Sequence, residues 1–144
     1  MKINITNKQY KSLIKLAYLG NWLANASRAP DETIAEFEDI TQYVFSFVRE
    51  YHLESWVERH DESDKWFPTK ELEETLSPLI DEYNEDNFWE DLVFDLARRD
   101  LIDRYGEDEV EKMDLKELIT REQPFLDKYE QEFSKNGIRN LRIE

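Results

Sequence analysis

The chain has no cysteine, three glycines and four prolines in 144 residues, and no acidic side chain among its first thirty. Without thiols, a disulfide framework and a thiolate zinc site are excluded, and any metal site must use His and carboxylates. Three scattered glycines cannot build a phosphate-binding loop or a dinucleotide fingerprint, and no nucleophile-elbow glycines flank a serine. No apolar run approaches the roughly 20 residues of a membrane span, and no uninterrupted apolar segment follows Met1 as in a secretory leader. A soluble, cytoplasmic protein without membrane association is therefore expected.

What is present is charge, and it is segregated. Lys2, Lys8, Lys11, Lys15 and Arg28 give the first thirty residues a formal charge of +5. From Asp31 to Ser134 there are 33 carboxylates against 11 basic residues, and the stretch from Lys135 to Glu144 returns to +2, for a total of −15. A pI near 4.5 opposes general nucleic-acid binding, which depends on clustered Lys and Arg. The charged share of 37% does not imply disorder, because 40% of residues are apolar and four Trp, seven Tyr and eight Phe are among them. The length suits one domain with its own core, so a single helical domain over 1–144 is expected.

Periodicity predicts an all-α (mainly α) fold, a compact bundle of about five or six helices. Thr6 or Asn7 caps a first helix running to about Ala26, whose apolar positions cover more than one stripe and mark it as the most enclosed helix. Asp31 and Glu32 open a second, with Ile34, Phe37, Thr41, Val44, Val48 and Tyr51 recurring at three and four residues. Between Leu53 and Pro68 the periodicity fails and a loop is expected. A short helix after Thr69, with a kink at Pro78, is followed by a turn over 84–87 and another helix from Phe88 to Tyr105. Gly106 stands at a helix end, Asp114 caps the last helical segment, Pro124 marks a break or a new first turn, and Gly137 closes it. Alternation at Ile3 and Ile5, and at Ile138, Leu141 and Ile143, predicts a small two-stranded β ribbon from the N- and C-terminal segments.

Some polar residues fall on apolar helical faces, and these are the first candidates for a site. Asn21, Asn25 and Arg28 continue the stripe of Tyr10, Ile14 and Ala17, and Asp100 shares the face of Trp89, Val93 and Leu96. A buried carboxylate there requires a cation, from Arg99 or Arg104 nearby or from Arg28 if the first helix packs alongside. Glu71 with Glu74, and Glu82 with Glu85, have the three-residue helical spacing that all-α nucleoside-triphosphate pyrophosphatases use for magnesium, although i,i+3 acid pairs arise readily in so acidic a chain; a magnesium site would draw on Glu71, Glu74, Asp91 and Asp95. The carboxylates at Asp81, Glu82, Glu85, Asp86, Glu90, Asp91 and Asp95 admit a third reading, imitation of a phosphate backbone. His60-Asp61, with His52 upstream, follows the ligand order of HD-domain phosphohydrolases but lies in a charged string rather than on an apolar helix. Lys8, Lys11 and Lys15 share one face of the first helix, continued by Tyr18 and Trp22.

The strings from Leu16 to Ala26 (LAYLGNWLANA) and from Phe88 through Leu92 to Asp100 (FWEDL, then LARRD) resemble small bacterial helical proteins without an assigned role. The resemblance covers two helices and implies a bacterial cytosolic origin but no activity. No catalytic or cofactor-binding residue is legible. The expected function is thus a non-enzymatic protein-interaction or regulatory module, contacting a protein partner or a second copy through its basic first helix or its acidic middle. A magnesium-dependent nucleotide phosphohydrolase and an acidic nucleic-acid mimic are the alternatives.

Overall fold

The computed structural model describes residues 4–142. It is 71% helical, with five α-helices and one two-stranded antiparallel sheet, so the mainly α class with a small ribbon is what the chain adopts. The elements run α1 (Asn7–Asn25), α2 (Ala35–Phe45), β1 (Val57–His60), β2 (Lys65–Pro68), α3 (Lys70–Tyr105), α4 (Glu107–Lys112) and α5 (Leu115–Asn136), closing with a 3-10 turn at Gly137–Asn140. The chain divides into two units, Met1–Ile80 and Asp81–Glu144.

In the first unit, Thr6 starts α1 with a capping box. Its hydroxyl accepts from the Gln9 amide at 3.3 Å, and the Gln9 side chain accepts from the Thr6 amide at 2.8 Å. Tyr10 and Ile14, one turn apart, enter a core with Val44, Phe45, Val48, Leu53, Val57, Leu72 and Leu76. The Tyr10 hydroxyl donates to the Val44 carbonyl at 2.7 Å and its ring stacks on Tyr51. Burial, with Tyr51 and Glu50 adding to it, pushes that hydroxyl far above the usual tyrosine range, so it stays a donor. Contrary to the expectation of an enclosed α1, only Tyr10 and Ile14 of this helix are buried, and Leu16 and Leu23 are more than half exposed. A wide apolar face does not by itself bring neighbours to both of its sides.

The second helix and the segment after it differ from the prediction, each for a local reason. The second helix begins at Ala35 rather than at Asp31, since residues 30–32 form a turn and bend and Glu36 and Glu38 supply the acid at its first turn. It ends at Phe45, although Val48 remains buried beyond it. There the Ser46 hydroxyl bonds back to the Tyr43 carbonyl at 2.7 Å, within a run of aromatic and β-branched residues that form helix poorly. The segment read as a loop is instead a hairpin, β1 paired with β2 in the register Val57 to Pro68 and His60 to Lys65. Its four-residue connection closes on Asp64 at φ 55°, a conformation that Asp tolerates, and Arg59 pairs with Asp64 across it.

The ribbon is thus local and does not join the chain ends. Ile5 precedes the α1 cap, Ile138 sits in the 3-10 turn, and Ile3 and Ile143 lie outside the described residues. The turn expected at 84–87 is absent: α3 is one helix of 36 residues with Pro78 inside it. No glycine or further proline interrupts it, and the Asn87 amide donates to the Tyr83 carbonyl of its own helix instead of turning the chain. Pro124 is likewise inside α5 rather than at its start.

The second unit is built from the C-terminal part of α3 with α4 and α5. Val93 and Ala97 pack with Tyr129 and Phe133, and Trp89, Leu92, Leu96, Phe125 and Leu126 are half-buried around them. Asp114 caps α5 by accepting from the Glu117 amide at 2.8 Å. Gly106 (φ 84°) and Gly137 (φ 55°) occupy backbone conformations open to few other residues.

Candidate functional site

Two features of the second unit combine polar groups with accessible apolar surface, and both arise where α3 faces α5. The first is centred on Asp100. From α3, Arg99 donates to Asp100 Oδ1 through Nε at 3.1 Å and Nη2 at 2.8 Å. From α5, the Tyr129 hydroxyl and Lys128 Nζ donate to Oδ2 at 2.7 and 2.9 Å. Arg99 Nη2 also reaches the Tyr129 oxygen at 2.9 Å, closing the network. Burial alone would raise the Asp100 pKa, but the hydrogen bonds from Lys128, Tyr129 and Arg99 outweigh it and bring the carboxyl down to about 2. A carboxylate so saturated with donors is ionised at neutral pH and has no proton to give. Its role is to clasp α3 to α5 at the position where sequence alone placed a lone acid on an apolar face.

The second feature is an apolar groove of about 410 Å³ beside this clasp, lined by Trp89, Glu90, Val93 and Phe94 of α3 and by Glu130, Phe133 and Ser134 of α5. The Trp89 and Phe133 rings meet at 5.6 Å, and Phe94 is 47% exposed. Phe133 also borders a recess of about 310 Å³ with Lys128, Tyr129, Glu132, Gly137, Asn140 and Leu141. Periodicity finds Trp89 and Val93 but assigns them wholly to the core. The missed signal is Phe94, adjacent to Val93 and therefore about 100° round the helix, which widens the apolar face past what two helices can cover.

The other sequence candidates take different places. Asn21, Asn25 and Arg28 belong to the first unit and Asp100 to the second. Asn25 donates to Asn21 Oδ1 at 2.8 Å, and its own Oδ1 accepts from the Ile34 amide at 2.8 Å. Ile34 is the N-cap residue of α2, and Asn25 accepts from its backbone N–H, one of the donors that a helix start leaves without an intrahelical partner. Arg28 bonds back to the Ala24 carbonyl at 2.8 Å. These polar residues on an apolar stripe shape the α1–α2 corner.

Glu71 accepts from Trp56 Nε1 at 2.9 Å, and Glu74 pairs with Lys70 along the helix. Asp91 and Asp95 lie in the second unit. Among the described residues no three His, Asp or Glu side chains gather as a metal-binding group, and no buried side-chain nitrogen or oxygen lacks a hydrogen-bond partner. The basic face of α1 is turned to an indole, with Lys11 and Lys15 ammonium groups 5.7 and 5.3 Å from the Trp56 ring centre.

One docking contact was not anticipated. The Gln42 amide of α2 pairs with the backbone of Trp66 in β2, donating to its carbonyl and accepting from its N–H, both at 2.8 Å. Glutamine on a helix carries no sequence signal for such a partner 24 residues away.

No protein-family model matches the chain, and no curated protein or solved structure is significantly similar to it. None of the helices among the described residues is long and apolar enough to cross a membrane.

Proposed function

We propose that this protein is a non-enzymatic, cytoplasmic interaction module whose contact surface is the apolar groove between α3 and α5. The observation that carries this reading is an aromatic groove left accessible beside a polar network whose members already bond one another. Catalysis by acid and base requires a group poised to exchange protons near neutrality, whereas Asp100 is held ionised. Recognition requires an apolar anchor pocket with a polar rim. Trp89, Val93, Phe94 and Phe133 make such a pocket, and Glu90 and Glu130 make such a rim. The groove lies within the acidic middle of the chain, one of the two surfaces expected from its charge.

The test is affinity capture from an extract of the source cells, comparing the unaltered chain with Phe94→Ser, which removes an exposed ring without opening the core. A protein retained by the former and lost by the latter is the expected result. Magnesium-dependent turnover of a nucleotide, abolished by Glu74→Gln and indifferent to Phe94→Ser, would replace this reading with the hydrolase.

A further inference from the structure

Resting on the reading of the groove as a contact surface, we infer that its occupant is a basic amphipathic helix that docks along α3 and α5. Shape is the first argument. On α3 the lining residues are Trp89 with Val93 and Glu90 with Phe94, each pair one helical turn apart, and on α5 Glu130 and Ser134 have the same spacing around Phe133. Rows at this spacing form the ridges into which a further helix packs. A volume of about 410 Å³ accommodates a few apolar side chains, as an i, i+4, i+7 ladder supplies, rather than a folded surface. An extended strand is poorly served here, because the backbone hydrogen bonds of both walls are already made within helices.

Charge is the second and independent argument. Glu90 and Glu130 are exposed, one on each wall, and neither belongs to an ion pair among the described residues. Most carboxylates of this unit are likewise without an ion pair among the described residues, Asp100, Glu109, Glu117 and Glu122 being those that take cations, so the rim shares the unneutralised charge of the whole unit. Residues 81–144 hold 20 acidic and 10 basic side chains. A second copy meeting the groove through this same unit would bring the same surplus of negative charge to the contact, and an acidic helix would do likewise. A helix with Lys or Arg flanking its apolar ladder meets both rim carboxylates and is steered by the field of the whole unit.

The full-length chain is titrated by calorimetry at physiological salt with three designed peptides. One is a helix with Leu at i, i+4 and i+7 flanked by Lys, the second is its twin with Glu in place of Lys, and the third has the Lys peptide's composition in scrambled order. The Lys helix is expected to bind about tenfold or more tightly than either comparator. Glu90→Gln and Glu130→Gln together should narrow the gap between the Lys and Glu helices by about threefold or more without abolishing binding, the charge of the rest of the unit leaving a residual preference for Lys.

Equal binding of the Lys and Glu helices by the unaltered chain would overturn the inference while leaving the groove as a contact surface. Equal binding of the scrambled peptide would show attraction to a charged surface and overturn it as well. If no helix binds but capture from extract still depends on Phe94, the inference falls and the functional reading stands. If capture also ceases to depend on Phe94, both fall. A dimer of the free chain that dissociates with Phe94→Ser would assign the groove to a second copy instead.

Discussion

Gln42 gives the sharpest test of how the hairpin is held. Its side-chain amide meets the Trp66 N–H and carbonyl at 2.8 Å each, so those groups point away from β1. The pairing of Arg59 with Trp66 is then of the non-hydrogen-bonded kind, and the ladder bonds fall at Glu58–Phe67 and His60–Lys65. Gln42→Ala removes both contacts and leaves the Trp66 backbone to half-accessible surface. With each neutral hydrogen bond contributing about 0.5–1.5 kcal/mol net, the loss is about 2 kcal/mol. Gln42→Glu keeps an oxygen for the Trp66 N–H but turns a second oxygen toward the Trp66 carbonyl. It should recover no more than half of that loss. Amide hydrogen exchange reads the effect directly. In Gln42→Ala the Trp66 amide should exchange about tenfold or more faster, a change corresponding to at least 1.4 kcal/mol, while Phe67, bonded within the ladder, changes less. If the Trp66 amide kept its protection in Gln42→Ala, the hairpin would be held by its packing on the core and the reasoning would be refuted.

Two further outcomes follow from the polar residues described above. Because the folded pKa of Asp100, about 2, lies below its ordinary value of 3.8, its contribution is whole above about pH 4 and is lost as the pH falls from there through 2. With Arg99 and Lys128 largely solvent-exposed, screening limits that contribution to about 1 kcal/mol. Asp100→Asn should therefore flatten the acid limb of an unfolding titration, and an acid limb of unchanged steepness would speak against the clasp. Asn25→Ala deprives the Ile34 amide of its acceptor and should cost about 1 kcal/mol, the net contribution of one hydrogen bond. Asn25→Asp, which retains the accepting oxygen, should lose less when both are compared by urea denaturation.

Much of the architecture is legible in the residue order. The Thr6 and Asp114 caps and the closing role of Gly137 are local signals, and local hydrogen bonds satisfy them. The hairpin is not legible, because Val57, Trp66 and Phe67 are diluted by Glu58, Arg59 and Lys65 and no glycine marks the turn. Neither is the continuity of α3, where two asparagines imitate a turn. Of the candidate site, Asp100 stands out in sequence as a carboxylate on an apolar face, and Arg99 is its neighbour. Lys128 and Tyr129 could not be assigned to it, being 28 and 29 residues away on another helix.

By itself, then, the sequence determined the helical class, the excess of acid, the exclusion of thiol chemistry and the helix ends at Thr6, Asp114 and Gly137. These depend on composition and on contacts within a turn or two. Only the tertiary structure decided that Asp100 is clasped, that Asn25 caps the helix after its own, and that Trp89, Phe94 and Phe133 remain open as a groove. Whether an apolar or charged side chain is satisfied depends on which distant residue is brought against it, and periodicity along one helix carries no record of that partner.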